Sequence, residues 1–385
     1  MKHDLIVFGE DWGGLPSSTQ HLIKQLSYNR QIIWVNSIGL RQPKCSIHDI
    51  KRVWKKITQA TVEISGDTDI APFKTVNLKT IPAPKGPIAR WIAKRLITKQ
   101  LKPILKKANL HQPILWTSLP TVADLCGSLN ETQVVYYCGD DFSALAGVDH
   151  DVVLKHENKL VKKADLILVA SETLFAKFPQ EKTQYLPHGV DYTLFHQTTP
   201  RANDLFNDGK PIAGFYGSLS HWLDYDLLNQ VIAQNPDWHF VFIGQNELGF
   251  NPFDDHDNLS LLGTKPHHQL SRYSQHWQVS LLPFVDNEQI RACNPLKLLE
   301  YLATGTPIIS TPFPALAPYK STIHTVNSVN EFSQQLHTIK LQWKEENNNI
   351  TSLDAQRRKE QQAALIKNHT WQARAMQLDA WLEAL

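Results

Sequence analysis

Short uninterrupted apolar runs, each followed by a segment of helical spacing, recur along the chain and limit its fold more than any other feature. In the first half they are LIVFG (5–9), QIIWVNS (31–37), PILWTS (113–118), QVVYYC (133–138), ADLILVAS (164–171) and QYLPHG (184–189). Helical patterns lie over about Ser17–Leu26, Val122–Leu129 and 151–163. The pattern restarts with PIAGFYGS (211–218), HFVFIGQN (239–246), LSLLG (259–263), VSLLPF (279–284) and TPIIST (306–311), with helices expected near 224–235, 266–276, 295–303 and 329–341. Such alternation predicts parallel, doubly wound sheets. Strands that are apolar at every position fit sheets covered on both faces. The turn-rich stretch TTPRANDLFNDGK (198–210) lies in the predicted seam at 190–210. The expected organisation is an α/β chain with one Rossmann-like domain over 1–190, a second over 191–370, and a C-terminal helix over 371–385 that packs back on the first. Doubly wound domains bind ligands outside the carboxyl ends of their strands, so two facing sheets place the site in a cleft between them.

Charge is unevenly spread. The net charge is +2, but residues 1–190 carry 25 Lys/Arg against 17 Asp/Glu, and the remainder carries 14 against 20. From Ile70 to Ala123 there is no acid, while Lys74, Lys79, Lys85, Arg90, Lys94, Arg95, Lys99, Lys102, Lys106 and Lys107 all fall there. Trp91, Ile92, Leu96, Ile97, Leu101, Ile104 and Leu105 are interleaved at helical spacing, with Pro103 as a kink or break. A basic amphipathic helix over 90–107 reads as a contact with an anionic membrane surface, each basic group contributing on the order of 1 kcal/mol. No RNA or DNA motif accompanies it, and no apolar run reaches the roughly 18 residues of a membrane span. The N-terminus reads as a first strand rather than a signal peptide. The four cysteines (45, 126, 138, 293) lack CxxC or zinc spacing. Reduced thiols and a cytoplasmic protein, peripheral on the inner face of the membrane, are the expectation.

The densest chemistry lies in 285–311, VDNEQIRACNPLKLLEYLATGTPIIST. Lys297 and Glu300 are three residues apart, on one face of a helix start, with Arg291 and Asn294 just before. A cation at a helix N-terminus suits a phosphate, and an acid one turn on suits a sugar diol. The Gly217-Ser218 turn after a buried strand allows backbone N–H groups to approach a pyrophosphate. In the first half, Asp140 and Asp141 end the strand 133–138; one is a candidate general base and the other a candidate helix cap. Gly13 and Gly14 allow a ligand close to the backbone of the first strand-to-helix loop, and His21 and His188 are further candidates for lining a cleft. Two DxD triplets, Asp67-Thr68-Asp69 and Asp224-Tyr225-Asp226, do not directly end apolar strands, so no metal and no cofactor are expected.

The order YYCGDD, ADLILVAS, YLPHGVDYTLF, GFYGSLSHWLDYDLL, FVFIGQN, LSLLGTKP, VSLLPF and NPLKLLEYLATGTPIIST resembles the GT-B glycosyltransferases, most closely the family 4-like, teichuronic-acid-type bacterial branch. The resemblance implies two facing Rossmann-like domains, a nucleotide-sugar donor (a UDP-sugar first) on the second and an acceptor on the first. It gives Glu300 the place of the ribose-binding glutamate, Lys297 that of a phosphate-contacting lysine and Gly217-Ser218 that of the phosphate-side loop. Asp140, with Asp141 as rival, stands where a related glucuronosyltransferase branch has its catalytic aspartate. One departure stands out. Retaining family 4 enzymes usually carry a second glutamate eight residues before Glu300, and this chain has Ala292 there, which leaves retention or inversion open. The expected activity is metal-independent transfer of a sugar from a nucleotide diphosphate to an acceptor hydroxyl, on a lipid-linked glycan of surface-polysaccharide synthesis. The alternatives are a nucleotide-sugar 2-epimerase of the same fold and a degenerate nucleotide-sugar-binding protein without turnover.

Overall fold

The computed structural model describes residues 3–13, 16–37, 73–81, 84, 86–145, 149–347 and 353–385. Gly14, Asp67, Asp69 and Cys45 lie outside the described residues. The chain divides into two compact units: Met1–Pro187 with Trp371–Leu385, and His188–Thr370.

Unit 1 is built on strands β1 (Leu5–Phe8), β2 (Ile32–Val35), β3 (Phe73–Val76), β4 (Ile114–Thr117), β5 (Gln133–Cys138), β6 (Leu166–Val169) and β7 (Thr183–Tyr185). They form one parallel sheet in the order β3-β2-β1-β4-β5-β6-β7. Every residue of β1, β2, β4 and β6 is buried, as expected of strands covered on both faces. β3, Phe-Lys-Thr-Val, escapes prediction because it is an edge strand with a lysine in it. The helices are α1 (Ser18–Leu26), α2 (Gly86–Lys107), α3 (His150–Lys163) and α4 (Glu172–Lys177). Ser17, Asp149 and Ser171 cap α1, α3 and α4 through side-chain oxygens on backbone N–H groups. The predicted helix at 122–129 is instead a 3-10 turn over Pro120–Asp124.

The basic segment is one helix. α2 runs through Pro103, which sits on the exposed side of the helix. Ala93, Ile97, Leu101 and Leu105 are buried at four-residue spacing. Arg90 is not part of a free basic face: it forks onto Asp124 at 2.6 and 2.7 Å, and Lys159 reaches the same carboxylate. The outward side keeps Ile88, Trp91, Ile92 and Leu96 exposed beside Arg95, Lys99, Lys102 and Lys106.

The C-terminal helix Trp371–Ala384 belongs to unit 1. His21 of α1 stacks on Trp371 with ring centres 4.6 Å apart, and Leu378 and Leu382 are buried. Arg30, itself buried, donates to Asp379 at 2.8 Å and to the His3 carbonyl at 2.6 Å.

Unit 2 repeats the plan with β8 (Ile212–Tyr216), β9 (His239–Ile243), β10 (Leu259–Leu261), β11 (Val279–Leu282), β12 (Ile308–Ser310) and β13 (His324–Thr325). The sheet is parallel, in the order β10-β9-β8-β11-β12-β13. Strand order reverses between β8 and β11, the position where doubly wound sheets open a crevice at their carboxyl edge. Helix α5 (Tyr225–Gln234) is capped by Asp224, whose Oδ1 accepts from the Leu227 N–H at 2.9 Å, so that aspartate of the second DxD triplet has a structural task. Two helices, α6 (Glu288–Ala292) and α7 (Leu296–Thr304), follow β11. A helix over Leu353–Ile366 lies where the polar sequence carries little periodicity. Among the described residues, no helix is long and apolar enough to cross a membrane.

Gly214 in β8 sets the packing of this sheet. A Cβ there would fall inside the buried Trp277 ring, whose indole N–H donates to Ser280 Oγ at 2.9 Å. Gly214→Ala should therefore destabilise unit 2 by about 1–3 kcal/mol through overpacking. A thermal or urea midpoint equal to wild type would show that the ring yields freely.

Candidate functional site

The carboxyl edge of the unit 2 sheet is shaped first by glycine. Gly217, directly after β8, has φ +139° and donates its N–H to the Ile243 carbonyl at 2.8 Å. Gly244, after β9, has φ +153°, and a Cβ there would strike the Gly217 carbonyl. Both positions exclude ordinary side chains. The space this leaves is where the Lys297 side chain arrives: a Cβ on Gly217 would lie 2.6 Å from Nζ.

Lys297 stands in the first turn of α7. Its Nζ is 4.9 Å from the centre of the Phe215 ring and 5.5 Å from that of Phe284, one from β8 and the other just past β11. It therefore occupies the switch point itself. The two ring faces offer some compensation for a cation, but Lys297 has no hydrogen-bond or ion-pair partner among the described residues. Burial pushes its pKa below the usual lysine value, with Cys293 and Glu300 opposing. Pro295, which precedes α7, gives the helix no side-chain cap, so the positive end of the helix dipole adds to the ammonium. Ser218 is half-buried beside Gly217, and Asn294 is half-buried in the link between α6 and α7.

One turn along α7, Glu300 is almost completely buried and held by two residues that no sequence pattern marks. Tyr216 donates its hydroxyl to Oε2 at 2.7 Å, and His267 Nε2 lies 2.7 Å from Oε1. Tyr301 accepts the Tyr216 N–H at 3.0 Å, which fixes β8 against α7. Burial alone would lower the His267 pKa; the hydrogen bond and charge of Glu300, with Asp191, outweigh it and hold the imidazolium above its ordinary value. Beyond α7, Gly305 (φ +75°) ends the helix. Thr304, Thr306 and Ser280 then form a hydroxyl chain with contacts of 2.8 and 3.0 Å, so Gly305-Thr306-Pro307 serves the fold. Arg291 is exposed and forks onto Asp286 with two contacts of 2.7 Å. Its charge is matched on the surface instead of converging with Lys297.

Unit 1 presents a second set at its own carboxyl edge. Asp140 follows β5 and Gly139. Its side chain is open to solvent, yet the surrounding protein is dense enough for desolvation to hold the carboxyl above the usual range. Asp141 is different. It accepts from Lys177 Nζ at 2.6 Å and from Ser143 N and Oγ at 2.9 and 2.5 Å. Burial would raise its pKa, but these contacts hold it below the carboxylate range. Glu10, after β1, accepts from Ser17 Oγ and from Gln20 Nε2 at 3.0 Å, and its charge, like that of Asp140, bears on the buried Tyr137. Gly13 (φ +81°) makes the tight turn of this loop. His21 is the stacking partner of Trp371, and His188 is buried at the first position of unit 2.

The His267–Glu300 pair carries a pH signature. A histidine held above its unfolded pKa adds stability that is fully present below about pH 6.5 and lost as pH rises through the folded value. Glu300→Gln should therefore lower the melting temperature more at pH 6 than at pH 9. An equal shift at both would mean that the pair is not ionic.

Comparison with known proteins agrees with this geometry. Residues 210–339 match the family model for Glycosyl transferases group 1, which spans the whole Gly217–Lys297–Glu300 constellation. TuaH of Bacillus subtilis, whose description assigns it provisionally to teichuronic acid biosynthesis as a glycosyltransferase, is 24% identical over 241 residues. That match takes in 56% of this chain and 61% of TuaH. Among solved structures, sucrose-phosphate synthase from Thermosynechococcus elongatus superposes with a TM-score of 0.69 at 15% identity, covering 100% of this chain and 99% of that one. HepE from Anabaena, solved with UDP and glucose, gives 0.68 at 12% identity over 100% of both chains. The α,α-trehalose 6-phosphate synthase of Burkholderia multivorans gives 0.65 at 13%, covering 100% of this chain and 99% of that one. The chain has the GT-B fold, and residues 210–339 of its second unit match the model for Glycosyl transferases group 1.

Proposed function

We propose that the protein transfers a sugar from a nucleotide diphosphate donor, a UDP-sugar first among them, to an acceptor hydroxyl. The observation that carries this reading is the half-buried Lys297 ammonium, without a hydrogen-bond or ion-pair partner among the described residues, at the switch point beside Gly217. An anion that approaches there gains a charge-assisted contact, and the uncapped start of α7 adds to it. Glu300, one turn on, has its carboxylate fixed by Tyr216 and His267, leaving lone pairs for a ribose diol. In this reading the departing diphosphate charge rests on Lys297 and on backbone N–H groups of Gly217-Ser218, while Arg291 stays with Asp286. Asp140 is the group suited to take the acceptor proton if the reaction inverts, since desolvation raises a base toward the working pH. Asp141 is spent on Lys177 and Ser143.

The same reading places the acceptor at a membrane face, on a lipid-linked glycan of surface-polysaccharide synthesis. Its support is the outward side of α2, where Trp91, Ile92 and Leu96 stand exposed among Arg95, Lys99, Lys102 and Lys106, with Arg95 stacked over the Trp91 ring at 4.3 Å. Apolar groups to enter the headgroup boundary and cations to meet anionic lipid are the two parts of an interfacial helix.

Two measurements test this. In a thermal-shift panel of UDP, other nucleotides and nucleotide-sugars, the donor should stabilise the chain in proportion to its occupancy. Lys297→Ala should remove about 1.5–3 kcal/mol of that binding. Unchanged affinity sinks the site, and a donor isomerised without nucleotide release would make the protein an epimerase. On vesicles containing anionic phosphatidylglycerol, the wild-type chain should co-sediment, and replacing Arg95, Lys99, Lys102 and Lys106 with Gln should release it. Binding that survives the replacement refutes the docking helix.

A further inference from the structure

We propose that Lys177 is a positioning residue for the transfer reaction, fastening the turn that carries Asp140 to the buried carboxylate of Glu157. The inference rests on the reading of Asp140 as the base.

Glu157 in α3 is 3% exposed, a rare site for a carboxylate. Tyr136 donates its hydroxyl to Oε1 at 2.7 Å, and Cys138 Sγ lies 3.9 Å from the same oxygen. The Oε2 atom faces Lys177 Nζ at 3.5 Å, and that ammonium also donates to Asp141 Oδ1 at 2.6 Å. One cation from the end of α4 thus joins a buried acid on α3 to the residue next to Asp140. Ser143 holds the same Asp141 oxygen through its N–H and its hydroxyl, so Oδ1 ties the end of the Gly139–Asp141 turn to Lys177 and Ser143 together. Removing Lys177 would leave a buried carboxylate without its cation and free the turn at once.

The test measures hydrolytic UDP release from the UDP-sugar that most stabilises the chain. It compares wild type with Lys177→Met, Lys177→Arg, Asp141→Asn and Asp140→Asn. Lys177→Met should lower kcat about tenfold or more with KM for the UDP-sugar little changed. Lys177→Arg should restore most of that loss. Asp141→Asn keeps the Lys177–Glu157 pair, and should still lose part of kcat; it carries the test if Lys177→Met does not fold, and wild-type kcat in it overturns the inference. Turnover by Asp140→Asn overturns the base assignment and this inference with it. A dead Asp140→Asn beside a wild-type kcat for Lys177→Met overturns the inference alone.

Discussion

An ammonium set against two aromatic rings, without an ion-pair partner among the described residues, is the interaction on which the unit 2 site depends. Lys297 reaches its place because Gly217 has no side chain to fill it, and because β8 and β11, whose ends supply Phe215 and Phe284, are neighbours across the strand-order reversal. Cation–π contact contributes about 0.5–2 kcal/mol. It leaves the positive charge without an ion-pair partner among the described residues, so the site keeps an affinity for an anion. Glu300 is the complement: its charge is neutralised in advance by His267 and its orientation locked by Tyr216. A charge left unmatched next to one fully matched is what recognition of a phosphate beside a diol asks for.

Unit 1 solves a different problem with two adjacent aspartates. Asp141 is bound by a lysine and a serine and stays ionised, whereas Asp140 has its carboxyl raised by desolvation. Environment, not residue type, separates a structural carboxylate from a candidate base. The contact of Lys177 with the buried carboxylate of Glu157 ties this distinction to the packing of α3 and α4 on the sheet.

Much of the fold was legible because its strands are buried on both faces and therefore apolar at every position, so β1, β2, β4, β5, β6, β8, β9 and β11 announce themselves without alternation. What escaped follows from weaker signals. β3 sits at a sheet edge and carries Lys74; Leu353–Ile366 is a helix whose periodicity is faint among Gln, Arg and Lys; and Pro103, read as a kink or break, is tolerated because it faces water. The proximity of Lys297 and Glu300 was legible, since helical spacing alone puts them one turn apart. His267 was not, because its contact with Glu300 spans 33 residues and no local pattern encodes it. Arg291 stood in the right stretch of sequence, but Asp286, five residues before it, offered a fork-shaped partner on the surface. The different surroundings of Asp140 and Asp141 were not legible, since the approach of Lys177 to Asp141 is a tertiary fact.

The account stands on where a nucleoside diphosphate lies in unit 2, and a crystal structure of the full chain with UDP measures that directly. The account predicts diphosphate oxygens within hydrogen-bond distance of Lys297 Nζ and of a backbone N–H in Gly217-Ser218, with both ribose hydroxyls turned to Glu300. UDP bound elsewhere, or a diphosphate gripped by Arg291 with Lys297 still uncontacted, would contradict it.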